Sequence, residues 1–163
     1  MFVPGEDFYF LAYTTLVLLA DMKCTTADRA LLDSHKVAYV ADLLGSDSDL
    51  RLALTNAPLT QSGRSRLALL YDRAAARHAP LERIENALSA RELVSFSRAT
   101  GEPDRLYLRD MNACERLLDV SLFDGERERL RKLRGVVPQL RTMTLATMKN
   151  RLFGRHGVHT WGD

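Results

Sequence analysis

Apolar positions along this chain follow a helical rhythm for most of its length and change to strict alternation once. The stretch 8–22, FYFLAYTTLVLLADM, is apolar almost all round, the pattern of a helix buried on most faces. Thr25, Thr26 and Asp28 offer N-cap chemistry to a second helical stretch that runs to KVAYVADLLG, with Gly45 placed to end it. Ser46-Asp47-Ser48-Asp49 predicts a polar linker that caps a short helix carrying Leu50, Leu52, Ala53 and Leu54. Residues 56–65 hold Pro58, Gly63 and several hydroxyl side chains, which predicts a loop and an internal boundary.

Leu67, Leu70, Tyr71 and Ala74 then recur at i, i+3, i+4 and i+7, and Leu81, Ile84 and Leu88 form the next stripe behind Pro80. Past residue 92 the period drops to two. Val94 and Phe96 alternate with serines, Leu106 and Leu108 alternate with Arg105, Tyr107 and Arg109, and Gly101-Glu102-Pro103-Asp104 lies between as turn material. Residues 93–109 therefore predict an antiparallel hairpin whose packed face is Val94, Phe96, Leu106 and Leu108. Such a hairpin is marginal alone in water and must pack on something, with the two preceding helices as the nearest surface. Helix, helix, hairpin is the element order of a winged-helix unit. Asp110 and Asp124 cap two further helices, and Pro138 opens a last one through Leu140, Met143, Met148, Leu152 and Phe153 with Gly154 as its stop. The fold expected is mainly α: a helical bundle with a winged-helix-like unit carrying one β-hairpin. Its segments are 1–57, 64–110, a basic 111–154 and a loose tail, 155–163.

Composition adds few constraints. The 163 residues are 46% hydrophobic and 27% charged, an ordinary globular balance for one domain or two small ones. Cys24 and Cys114 lie far apart without paired spacing, which predicts reduced, buried thiols. The 15-residue apolar stretch is short of the roughly 20 residues of a membrane span, and Glu6 and Asp7 precede it rather than a basic segment. A cytoplasmic protein without membrane contact is expected.

Charge changes the picture more. Net charge is only +2, yet nine Lys or Arg and two acidic residues lie within 126–157. The run Arg127, Arg129, Arg131, Lys132 and Arg134 reads as a solvated helix, a patch tracking a nucleic-acid backbone, or a dock for an acidic partner. Arg98 and Arg105 around the hairpin turn join it as candidate nucleic-acid contacts. In a winged-helix DNA reader the second helix enters the major groove. Here that helix is LERIENALSARE, with Glu82, Glu85 and Glu92 set to repel phosphates. A winged helix adapted for protein contact fits better. Arg83, Glu85, Met143 and Met148 are the candidate partner-binding residues, the two methionines reading first as packing, with a partner-helix interface as the functional alternative.

Chemistry is harder to find. The chain lacks HExxH, CxxC, GxSxG, a Walker lysine loop and GxGxxG. His156-x-x-His159 has chelating spacing but no acid or thiol beside it. Neither a catalytic residue, a metal site nor a cofactor is expected; His35 and His78 are the residues to test if an activity were found.

The N-terminal segment FYFLAYTTLVLLADMKCTTADRALLDSHKVAYVADLLG, followed by a unit ending in RELVSFSRATGEPDRLYLRD, resembles the small middle subunit of ABC-three-component systems of the Lamassu anti-phage type. The resemblance implies a non-catalytic accessory subunit whose partners are an SMC-like ABC ATPase and an effector nuclease. The basic run matches no motif of that family and reads as non-specific DNA contact added to the protein contact. A stand-alone winged-helix DNA-binding transcriptional regulator is the alternative.

Overall fold

A computed structural model describes residues 4–97, 100–118 and 121–158. It shows a mainly helical bundle with one small antiparallel sheet. Helix α1 (Pro4–Asp21) lies at the centre and packs against four other helices and one strand of the sheet. Its Leu11, Leu16, Val17, Leu18 and Leu19 are all buried, as an apolar sequence without a polar face requires. Among the described residues no helix is long and apolar enough to cross a membrane.

The second predicted helix is shorter than the sequence suggests. Ala27–Arg29 forms a single 3₁₀ turn, Leu31–Leu32 is a strand (β1), and helix α2 begins only at Lys36 and runs Lys36–Gly45. Asp33 breaks the helical path by adopting φ 62, a left-handed conformation that Asp tolerates better than most residues. Gly45 closes α2 as its last helical residue. Ser46 is extended, and serves at once as the end of α2 and the cap of α3 (Asp47–Leu54), accepting from the Asp49 amide at 3.3 Å. Arg66 grips the Asp49 carboxylate with two bonds of 2.9 and 2.7 Å, which ties α3 to α4 (Gln61–Ala76) and holds that carboxyl below its ordinary pKa.

Helix α4 buries Leu67, Leu70, Tyr71 and Ala74, and α5 (His78–Ala90) buries Leu81, Ile84 and Leu88. Both stripes follow the sequence periodicity. Strands β2 (Val94–Ser97) and β3 (Arg105–Leu108) form the hairpin, with Val94 opposite Leu108 and Phe96 opposite Leu106. Gly101 supplies the left-handed turn residue at φ 82. Three of the four residues assigned to the packed face are buried; Phe96 is instead 36% exposed, on the outer strand towards the turn.

The hairpin is not left alone. Strand β1 pairs with β3, Leu31 opposite Leu106, giving the order β1-β3-β2, and the sheet rests on α1 and α5. The unsupported ribbon thus becomes three strands with an apolar face covered by helices.

Asp110 accepts from the Ala113 amide at 2.9 Å to cap α6 (Met111–Leu118), and α7 spans Asp124–Val136. The last predicted helix is corrected. Residues 138–143 form a chain of turns, and α8 (Leu145–Leu152) starts after Thr144, whose hydroxyl accepts from the Thr147 amide at 3.1 Å. The expected loose tail is partly packed, with Val158 buried; His159 and the residues beyond it lie outside those described. Apolar side chains from all the helices and all three strands join one core. Cys24 and Cys114 are free and buried there, and burial pushes each thiol up to about 11.

Candidate functional site

Helix α7 carries the basic run, and its arginines divide into two groups. Leu130 and Leu133 turn one stripe of the helix to the core. Beside that stripe, Arg127, Arg129 and Arg134 reach backbone carbonyls at the ends of three other helices. Arg127 Nη2 donates to Leu118 O of α6 at 2.9 Å, Arg129 Nε to Leu44 O of α2, and Arg134 Nη1 to Asp21 O of α1 at 3.0 Å. The last carbonyls of a helix have no partner within it and carry the negative end of its dipole, so a guanidinium there satisfies both. Asp47 and Glu126 flank Arg129 at 3.4 and 3.6 Å, and Asp21 Oδ2 flanks Arg134 at 3.3 Å.

Arg131 and Lys132 point outward. Arg131 pairs with Glu128 at 3.4 Å, and Lys132 with Asp47 at 3.6 Å and Glu128 at 3.9 Å. Such exposed pairs are worth little and release their cations readily. Arg105 lies on β3, 3.9 Å from Glu102. Arg98 lies outside the described residues. Of the candidate nucleic-acid contacts, three are thus engaged in internal carbonyl bonds while Arg105, Arg131 and Lys132 remain at the surface.

The candidate partner-binding residues divide in the same way. Arg83 is exposed on α5. Glu85 falls on the inward stripe between Ile84 and Leu88 and is buried, and Met143 and Met148 lie in the core. These three present no surface to a partner in this fold: the stripe spacing that brings Leu81 inward brings Glu85 with it.

Two polar clusters were not visible as clusters in the sequence. Lys36, at the start of α2, is 1% exposed, and its Nζ donates to Leu140 O at 2.9 Å and Arg141 O at 3.3 Å in the turns before α8. Burial lowers its pKa to about 8. His35 and His78 meet where α2 and α5 begin, their rings stacked 4.3 Å apart. His35 lies 3.4 Å from Asp33 and 3.7 Å from Glu82, and the Asp33 carboxylate raises its pKa. Burial, then the neighbouring His35, lowers that of His78. Lys149 covers the rings of Tyr39 and Tyr71, which pack edge-on against Phe153. No spacing rule links residues this far apart in sequence. Among the described residues no group of three or more His, Cys, Asp or Glu side chains is placed to hold a metal.

A cleft of about 660 Å³ opens between α1, α6 and α7. Val17 and Ala20 of α1 contribute its apolar lining. Asn112, Glu115 and Arg116, at i, i+3 and i+4, bring one face of α6 to it, and Arg127 and Arg131, at i and i+4, one face of α7. Asp21 also lines it and is held by Arg134. Elsewhere on α1, on α6 and before α7 the surface carries large apolar side chains: Tyr9 is 64% exposed, Leu117 43% and Leu122 74%. Tyr13, one turn after Tyr9 on α1, stacks on Phe123 with ring centres 4.8 Å apart.

Comparison with family models, with curated proteins and with solved structures finds no match to this chain.

Proposed function

We propose that this chain is a non-catalytic accessory subunit of a cytoplasmic SMC-like ABC ATPase complex in anti-phage and anti-plasmid defence, bridging the ATPase and an effector nuclease. The resemblance to the middle subunit of ABC-three-component systems suggests those partners. The observation that carries the reading is the apolar surface at Tyr9, Leu117 and Leu122 on a chain that already buries a full core. Large apolar side chains left uncovered are what protein-binding faces are built from, and tyrosine is among the residues that dominate such interfaces.

The helix that would read DNA in a winged-helix regulator offers less. The solvent side of α5 carries Glu82, Arg83 and Asn86, with no excess of positive charge. Protein contact is the better use of this unit, and the exposed cations add salt-sensitive DNA contact without base selectivity.

Co-expression with the products of neighbouring genes, followed by size-exclusion chromatography, tests the reading. A complex containing an ATPase and a nuclease is expected, and Tyr9→Ser with Leu122→Ser should release this subunit. A lone monomer in the presence of every neighbour would overturn it.

A further inference from the structure

We infer that the cleft between α1, α6 and α7 is a docking groove for an acidic, apolar-bearing peptide segment of a protein partner. This rests on the accessory-subunit reading for its biological setting, but its chemistry stands on the groove alone. Two helix faces flank it, and half-buried Ala20 gives it a small apolar surface to cover, Val17 lying beneath in the core. Three guanidinium groups line it: Arg116, Arg127 and Arg131. Arg127 is held in place by its bond to Leu118 O, so a carboxylate meets a preorganised donor. Among the described residues Arg131 is tied only to exposed Glu128, an ion pair that an incoming carboxylate displaces at small cost.

Two acids line the same cleft, and they decide between partners. Asp21 is neutralised by Arg134, while Glu115 is exposed. A phosphate backbone carries a charge at every residue and would meet Glu115 wherever it lay. A peptide can place its acids on the arginines and an apolar or basic residue beside Glu115. An amphipathic segment laid between two helices is a recurrent mode of peptide recognition.

The test is selection of a displayed random-peptide library on the whole chain, followed by fluorescence anisotropy with one enriched, labelled peptide. Enriched sequences should combine Asp or Glu with Leu, Ile or Phe. Arg116→Glu with Arg131→Glu should weaken the chosen peptide at least about tenfold, and raising salt should weaken it too. Arg127 is kept, since its carbonyl bond is part of the fold. Arg64→Glu, on α4, is the control and should leave binding unchanged. Circular dichroism establishes that each variant is folded. The inference is overturned if enrichment shows no acidic bias, if the double reversal binds as the wild type does, or if a single-stranded oligothymidine displaces the peptide at equal concentration. Success here with no neighbouring gene product bound would remove the proposed function and leave the groove. Failure here with a neighbour bound would do the reverse.

Discussion

His35 and His78 titrate in opposite senses although their rings touch. The hydrogen-bonded Asp33 carboxylate raises His35, with Glu85 and Glu82 adding to it, while burial and the His35 charge lower His78. Stability follows whichever state binds more protons. Below the ordinary histidine value of about 6.5, an unfolded chain protonates His78 more readily than the folded one does. Stability from that residue is present above this value and is lost as pH falls through the folded pKa. Above about 6.5, the folded chain keeps a proton on His35 that the unfolded chain releases. That contribution is full below the unfolded pKa and is lost as pH rises through the folded one. The pair therefore places a stability maximum near the ordinary histidine pKa. Urea midpoints measured from pH 5 to 8 should peak there. His78→Asn should flatten the acid side of the peak and His35→Asn the basic side; a monotonic profile in the wild type would count against this account. Lys36 acts only at the alkaline end, since its pKa is about 8.

At the scale of elements, the arginines of α7 act as clamps on other helices. Helix α2 passes straight into α3 through Ser46, so no following turn of chain covers the Leu44 carbonyl; Arg129 supplies the donor from 85 positions away. Arg129→Met should lower stability by about 1–3 kcal/mol, the cost of a buried group left without its partner. Arg131→Met, one turn-half away on the exposed side, should change it by less than about 0.5 kcal/mol. Denaturant titration separates the two, with midpoints shifting at constant slope; equal effects would sink the clamp reading. This division explains what sequence could and could not show. The stripes of α4 and α5 and the existence of the hairpin were legible, because period and turn chemistry are local. Ser46 and Asp110 were legible as caps for the same reason. Strand β1 was not: two residues between a 3₁₀ turn and a left-handed Asp33 become a strand only because β3 offers them a ladder. Nor were the turns at 138–143, whose freed carbonyls are wanted by Lys36 and by the Leu32 amide, the latter 3.0 Å from Arg141 O. The basic run was visible as charge, but which arginines face solvent depends on where other helices end.

For the molecule as a whole, the question is whether 1–110 can stand without the C-terminal helices. Helix α6 packs on α1, and α7 packs on α1, α2 and α3. Leu118, Leu130, Leu133, Leu140, Leu152 and Phe153 all enter the common core with almost no exposed surface. Each such side chain contributes about 1.5–3 kcal/mol on burial, and six of them together match the whole net stability of a domain, about 5–15 kcal/mol. Polar bonding adds to the dependence. Without residues 140–141, Lys36 would lose both of its carbonyl acceptors, and β1 would lose the bond from Leu32 N. A fragment ending at residue 110 should therefore lack a cooperative urea transition, and its amides in α2 should exchange as freely as those of an unfolded chain. The full chain should unfold in a single transition, because α1 touches elements from every segment and cannot be released by one of them alone. A fragment that kept protected α2 amides would show instead that the N-terminal helices and the hairpin form a self-sufficient unit, with the basic helices added to its surface.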